Sequence, residues 1–154
     1  MKLVAALLIL AGCAFSQPKL PRSSPRFNPL DICRGRVTVA AFIVTTCPHC
    51  QVFARNVMEP MYESGKICAV AVAFDEGGDI DRFAREQKLR FPLYRIERKR
   101  VREFLGITGP DRPIGTPQVV VIDRLGTIWA QSAPQGSPVL LQPDVIRQIV
   151  EKLR

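Results

Sequence analysis

The chain predicts an α/β fold, a three-layer α/β/α sandwich, on three observations. Apolar, β-branched runs at 37–44 and 67–74 read as strands buried on both faces, the mark of a parallel sheet. Stretches of helical spacing lie between the strands, so that strand and helix alternate. A hairpin pattern over 119–131 then precedes a final helix. The length, 154 residues with 47% hydrophobic, suits one compact domain with its own core.

The elements follow in order. The run at 37–44 is a central strand. From Cys47 to about Tyr62 the sequence reads as a helix, with Val52, Phe53, Val57 and Met61 near helical spacing and Pro60 expected to bend or end it. Gly65 marks a turn before the second strand, 67–74. Asp75-Glu76-Gly77-Gly78 is a loop, and Asp79 can cap a helix running to about Lys88. A short strand at 91–96 and a helix at 98–105, stopped by Gly106, come next. Residues 108–116, rich in Gly and Pro, form a loop. Two strands, 119–123 and 127–131, flank the turn Arg124-Leu125-Gly126, and Pro143 and Asp144 open the last helix.

The chemistry concentrates at Cys47-Pro48-His49-Cys50, directly after the first strand. Two thiols two residues apart can close and reopen a small disulfide ring. A helix that starts at Cys47 leaves the first cysteine at an exposed N-terminus and the second one turn in. The free N–H groups and the positive dipole end there favour a Cys47 thiolate. A protonated His49 adds positive charge, and Pro48 fits an early position that needs no N–H donor. A low-pKa thiolate is a good leaving group, which makes the pair more oxidising. A zinc site needs about four ligands; His49 is the only histidine and there is no second C-x-x-C, so no metal is expected.

The N-terminus reads as an export signal over residues 1–16: Met1-Lys2, then a nine-residue apolar run to Ala11, too short for a membrane span. Leu10-Ala11-Gly12-Cys13 resembles a bacterial lipobox, in which Cys13 takes lipid and becomes the new N-terminus; the rival cut lies after Ser16, following Ala14-Phe15. Residues 17–30, with Pro18, Pro21, Pro25 and Pro29, read as an extended tether, and 31–154 as the domain. Either cut predicts an exported protein in an oxidising, periplasmic or extracytoplasmic compartment, tethered to the membrane if lipidated. The formal net charge is +8, with Arg22, Arg26, Arg34, Arg36 and a basic run over 95–102. Export and the lack of interleaved aromatics argue against nucleic acid; a solvated helix face or attraction to anionic headgroups accounts for the charge.

The C-P-H-C motif after the first core strand, with Gly115-Thr116-Pro117 before the hairpin, resembles the thioredoxin-like family from about Leu30 to Arg154. That resemblance implies a cis proline at Pro117 facing the motif, and Thr116 and Pro117 as backbone for an extended substrate segment. The extra helix and strand over 79–96 resemble the helix–strand insertion of exported TlpA/ResA-like proteins, whereas Pro48-His49 resembles the dipeptide of DsbA-type oxidases. Two departures stand out. Thr46 replaces the usual Trp, and Ala41 stands where thioredoxin has a buried acid that relays the Cys50 proton; on the motif helix Asn56 cannot relay a proton, which leaves Glu59 or water, the alternative for Glu59 being a solvated helix residue. A peroxidase would need Thr three residues before its reactive cysteine, where Val44 stands before Cys47.

Cys33 and Cys68 each fall near the start of a predicted strand, and those strands would be parallel neighbours. They are candidates for a structural disulfide, the alternative being two small buried apolar side chains. The expected function is an exported thiol–disulfide oxidoreductase, with Cys47 forming the mixed disulfide, Cys50 resolving it and no cofactor. Its partners are thiol- or disulfide-containing proteins and a redox partner that recycles the pair. The competing reading is a non-catalytic lipoprotein of the same fold that binds a metal or a partner.

Overall fold

The structure, a computed structural model, describes residues 29–109 and 111–154. The expected export signal, with Cys13, and most of the expected tether lie outside the described residues. Pro29 and Leu30, placed at the end of the tether, instead begin a one-turn helix, α1 (Pro29–Ile32). Its start has a local cause: proline is preset for the first helical position, and Asp31 sits in the first turn, where the dipole favours an acid.

Five strands form one mixed sheet in the order β3-β2-β1-β4-β5. The central strand β1 (Thr38–Ile43) pairs in parallel with β2 (Cys68–Ala73), Thr38 opposite Cys68. Its other edge pairs antiparallel with β4 (Gln118–Ile122), Thr38 opposite Ile122 and Phe42 opposite Gln118. Every residue of these three strands is buried, as their unbroken apolar runs predict. The expected helix–strand insertion forms α4 (Ile80–Glu86) and β3 (Leu93–Arg95); β3 pairs in parallel with the outer edge of β2. Asp79 caps α4 as expected, its carboxylate accepting from the Arg82 N–H at 2.8 Å.

Two apolar clusters face away from the sheet. Val39, Ala41 and Ile43 pack with Cys50, Phe53 and Met58 and with Ile146 of the last helix, α6 (Pro143–Leu153). Ala40 and Phe42 pack on the opposite face with Val101 and Leu105, from and just after α5 (Arg98–Phe104). Helices therefore cover both faces, which makes the three layers. β5 (Ile128–Gln131) closes the hairpin as an exposed edge strand.

The helix after the motif differs from its expected form in two ways. It runs from α2 (Pro48–Phe53) through a π-helical segment, Ala54–Met58, into α3 (Glu59–Glu63), passing Pro60 without ending there. Proline lacks the N–H that an α-helix would donate four residues back, and the wider π turn just before it absorbs that gap. The buried face also differs. Cys50, Phe53, Val57 and Met58 point inward, while Val52 is 50% exposed. Val52 lies between the inward positions, one residue from Phe53, so the helical turn carries it outward.

Cys33, just after α1, is joined to Cys68 at the start of β2, with Cα atoms 5.6 Å apart across 35 positions. The bond ties α1 to the sheet. By chain entropy a loop of this length contributes about 3–4 kcal/mol. We predict that the Cys33→Ala/Cys68→Ala double variant loses about 2–4 kcal/mol in urea unfolding while disulfide exchange at Cys47 persists. Loss of exchange in the folded double variant would make the bond part of the active site.

Candidate active site

The site forms where three chain segments meet at one end of the sheet. β1 ends at Ile43, and Val44-Thr45-Thr46 carries the chain to Cys47, whose extended backbone (φ −79°, ψ 118°) caps α2. Cys47 is half-buried, Cys50 buried, and Thr46, Pro48 and His49 are exposed. Both cysteines of the motif are thiols in this structure. Because β4 runs antiparallel to β1, its first residue lies at this same end. The segment before it brings Thr116 and Pro117 onto the motif. The Thr116–Pro117 peptide is cis. Thr116 Oγ1 donates to Cys47 Sγ at 3.4 Å, and the Thr116 carbonyl lies 3.8 Å from the same sulfur.

The two thiols differ sharply in acidity. Partial burial works to raise Cys47, but hydrogen bonds from the Thr116 hydroxyl, from the backbone and thiol of Cys50 and from the His49 backbone outweigh it. Cys47 therefore sits below the usual thiol range. Burial pushes Cys50 up to about 12, against a lowering contact with the Val44 backbone and with added repulsion from Cys47. Cys50 belongs to the apolar cluster that includes Ala41, so no carboxylate lies beneath it at that position. Glu59 is not a solvated helix residue. It is 8% exposed, and its carboxylate accepts from the Arg90 backbone N–H and Nε, each at 2.8 Å. Nine helical positions separate it from Cys50, about 14 Å along the axis. It braces the far end of the helix, together with an Arg90–Glu63 ion pair.

Two sets of supporting contacts, around Thr45 and around Gln118, are not found by the sequence reading. Thr45 is buried, and its N–H and hydroxyl both donate to Asp75 Oδ2, at 3.2 and 2.5 Å, which ties the loop before Cys47 to the end of β2. Gly78 crosses so close that a Cβ would collide with the Asp75 carboxylate and the Thr45 hydroxyl. Gln118, fully buried, donates through Nε2 to the carbonyls of Gly115 at 2.7 Å and Ala133 at 2.9 Å. Gly115 donates its N–H to the Pro134 carbonyl at 2.8 Å and has no room for a Cβ against the Gln135 carbonyl. Gln118 and Gly115 thus clamp the Thr116–Pro117 segment to the turn after β5. Their signal was compositional only: a Gly-Thr-Pro-Gln run at the entry to a core strand.

Among the described residues, no group of three or more His, Cys, Asp or Glu side chains is placed to hold a metal ion. The arrangement holds one accessible, acidified thiol over a buried, protonated one, beside an open backbone carbonyl. That is the equipment for thiol–disulfide exchange.

No protein-family model matches the chain, and no curated protein matches it in sequence. Solved structures match it in shape. One is a thiol:disulfide interchange protein DsbE of Chlorobium tepidum, 23% identical, with 81% of this chain and 85% of that one covered and a TM-score of 0.61. Another is a secreted disulfide oxidoreductase of Mycobacterium tuberculosis, at 16% identity, 80% and 86% coverage and a TM-score of 0.59. A third is the exposed lipoprotein thioredoxin Etrx1 of Streptococcus pneumoniae, at 17% identity, 80% and 90% coverage and a TM-score of 0.56. With the mixed five-stranded sheet, the helix–strand insertion and the paired cysteines after β1, these likenesses establish that the chain has the thioredoxin-like fold.

Proposed function

We propose that this protein is an exported thiol–disulfide oxidoreductase that exchanges disulfides with protein thiols through Cys47 and Cys50. The observation that carries the reading is the split acidity of the pair beside Thr116: Cys47 lowered and half-exposed, Cys50 raised and buried. The structural neighbours named as disulfide interchange and oxidoreductase proteins support it. Export and tethering through Cys13 rest on the N-terminal sequence, with a lipoprotein among the neighbours in support.

In the reducing direction, the Cys47 thiolate attacks one sulfur of a partner disulfide. The partner S–S bond breaks, its second sulfur leaves as a thiolate and takes a proton, and a mixed disulfide forms. Cys50 then loses its proton to solvent and attacks Cys47 Sγ. The Cys47–partner bond breaks, the partner leaves as a dithiol, and the Cys47–Cys50 pair holds the disulfide, two electrons having passed to the partner. Oxidation of a partner dithiol is the same sequence reversed. Thr116 and Pro117 offer an edge along which an extended partner segment lies, with Val52 and Pro48 as an exposed apolar rim.

Cys47→Ser is expected to abolish exchange with an insulin-type substrate, whereas Cys50→Ser traps mixed disulfides. Faster alkylation of Cys50 than of Cys47 in the reduced protein would reverse the assigned roles.

The acidity of Cys47 makes a pH prediction. Only the thiolate is alkylated, so the rate rises with pH through the Cys47 pKa; a lowered pKa places that rise at lower pH than for a free thiol. Thr116→Val removes a hydrogen bond that stabilises the thiolate, so its rise moves to higher pH. Superimposable profiles for wild type and Thr116→Val would deny Thr116 that role.

A stabilised thiolate favours the reduced pair and raises its potential, by about 30 mV for each pKa unit. The lowered Cys47 therefore places the pair above the roughly −270 mV of thioredoxin. Glutathione equilibration of wild type and His49→Gly at one pH measures both the value and the contribution of His49. A wild-type potential at or below that of thioredoxin marks a reductase rather than an oxidant.

A further inference from the structure

The pole of the domain opposite Cys47 carries groups that the redox chemistry does not use. Cys47 follows the C-terminal end of β1, while the turn Arg34-Gly35-Arg36 precedes its N-terminal end. β4 runs the other way, Ile122 opposite Thr38, so the turn between β4 and β5 lands on that same pole. Arg34, Arg36, Arg124 and Leu125 line one shallow hollow there. Lys66 joins them from the turn before β2, between Gly65 and Ile67, whose carbonyls accept from the Arg36 guanidinium at 3.3 and 2.7 Å. The six residues of β1, at about 3.3 Å each, keep this pole roughly 20 Å from the motif.

The tip of this pole is apolar and unusually bare. Leu125 is 92% exposed and Trp129, the only tryptophan of the chain, 62%. Trp129 is drawn toward the turn, because its indole Nε1 donates to Asp123 Oδ2 at 2.9 Å. The other oxygen of Asp123 accepts from the N–H groups of Leu125 and Thr127, each at 2.8 Å, so the turn is internally braced. Asp123 is thus engaged within the turn and Asp31 with Arg34 at 3.1 Å, so the four cationic side chains outnumber these two acids.

A bare leucine, an indole with its polar edge satisfied and a rim of Arg and Lys match the chemistry of the boundary between bilayer and water. The position of the chain's entry points to the same occupant. The described domain begins with α1, and Asp31 and Cys33 line the hollow with Arg124 and Leu125. The segment before residue 29, with the lipobox-like Leu10-Ala11-Gly12-Cys13, therefore joins the domain at this pole. We propose that this pole docks on an anionic lipid surface, Leu125 and Trp129 at headgroup level and Arg34, Arg36, Lys66 and Arg124 over the phosphates, with Cys47 facing away from the membrane. The inference rests on the exported, tethered reading above.

Trp129 reports the pole directly, since the N-terminal segment contains no tryptophan. The full chain made in a bacterial host is mixed with vesicles of phosphatidylcholine, with and without phosphatidylglycerol, carrying brominated acyl chains. Flotation reads the tether and Trp129 emission reads the pole. The expected result is a blue-shifted, quenched Trp129 on anionic vesicles, less so on neutral ones and less so in high salt. Arg124→Gln lowers the docked-to-undocked ratio about fivefold, the worth of one cation at a charged surface. Leu125→Asp abolishes quenching, and both exposed substitutions leave disulfide exchange intact. Trp129 emission on anionic vesicles equal to that of the free chain, or quenching that both variants keep, overturns the proposal and assigns the patch to a protein partner. A chain that fails to float with neutral vesicles overturns the lipid tether alone; docking then stands or falls on the anionic arm.

Discussion

The pairing of β1 is the constraint on which the rest of the molecule depends. The strand is hydrogen-bonded on both edges, in parallel to β2 and antiparallel to β4, and buried on both faces. Its direction sends Val44 to Cys47 out at one end. The parallel partner ends beside it and supplies Asp75, which holds Thr45. The antiparallel partner begins beside it and supplies Thr116, which reaches Cys47 across 69 positions of chain. Three distant segments thus share one end of the sheet because of one strand's neighbours. The same pairing sends the β4–β5 turn and the N-terminal entry to the opposite end, so the chemistry and the attachment of the chain are separated by the length of a strand.

Much of the fold was legible because burial leaves a mark in composition. Strands covered on both faces are apolar almost throughout, and β1, β2 and β4 read that way but for Thr38 and Gln118 at the first positions of β1 and β4. The motif cysteines were legible because their spacing serves only a few chemistries. What escaped were pairings between residues far apart in the chain. Glu59 looks like any helix carboxylate until Arg90 comes from 31 positions away to bind it. Asp75 sits in a loop of acids and glycines, and only the end of β1 reveals that Thr45 is its partner. Val52 was misplaced for a different reason: four apolar residues on a short helix fit more than one face, and the choice is made by the sheet that the helix covers.

Gln118 illustrates what a sequence hides at a strand end. A glutamine at the start of a core strand reads as a boundary residue. In the fold it is wholly buried and organises the segment above it, because its Nε2 reaches the Gly115 carbonyl on one side and the Ala133 carbonyl, which also accepts from the Gly136 N–H, on the other. An apolar residue of similar volume would fill the space but take this donor from the Gly115 carbonyl, and a buried group left unpaired costs about 1–3 kcal/mol. The position of Thr116 over Cys47 is thus held by a side chain that touches neither.

The acidity of Cys50 depends on Cys47, and in the exchange proposed above this coupling would order the two steps. In the dithiol protein Cys50 is raised to about 12, first by burial and then by the hydrogen bond and the charge of Cys47. At pH 7 such a thiol is ionised to about one part in 10⁵, so the resting protein presents a single nucleophile. Once Cys47 is tied into a mixed disulfide it carries no charge. Both contributions from Cys47 vanish at that moment, while the lowering contact from the Val44 backbone remains. Cys50 becomes more acidic just when its thiolate is needed. Burial among Ala41, Phe53 and Met58 persists, however, and still opposes ionisation. With Ala41 in the strand beneath and Glu59 bound to Arg90, neither is placed to take the proton, so in the exchange proposed above resolution by Cys50, rather than attack by Cys47, is the step we expect to be slower.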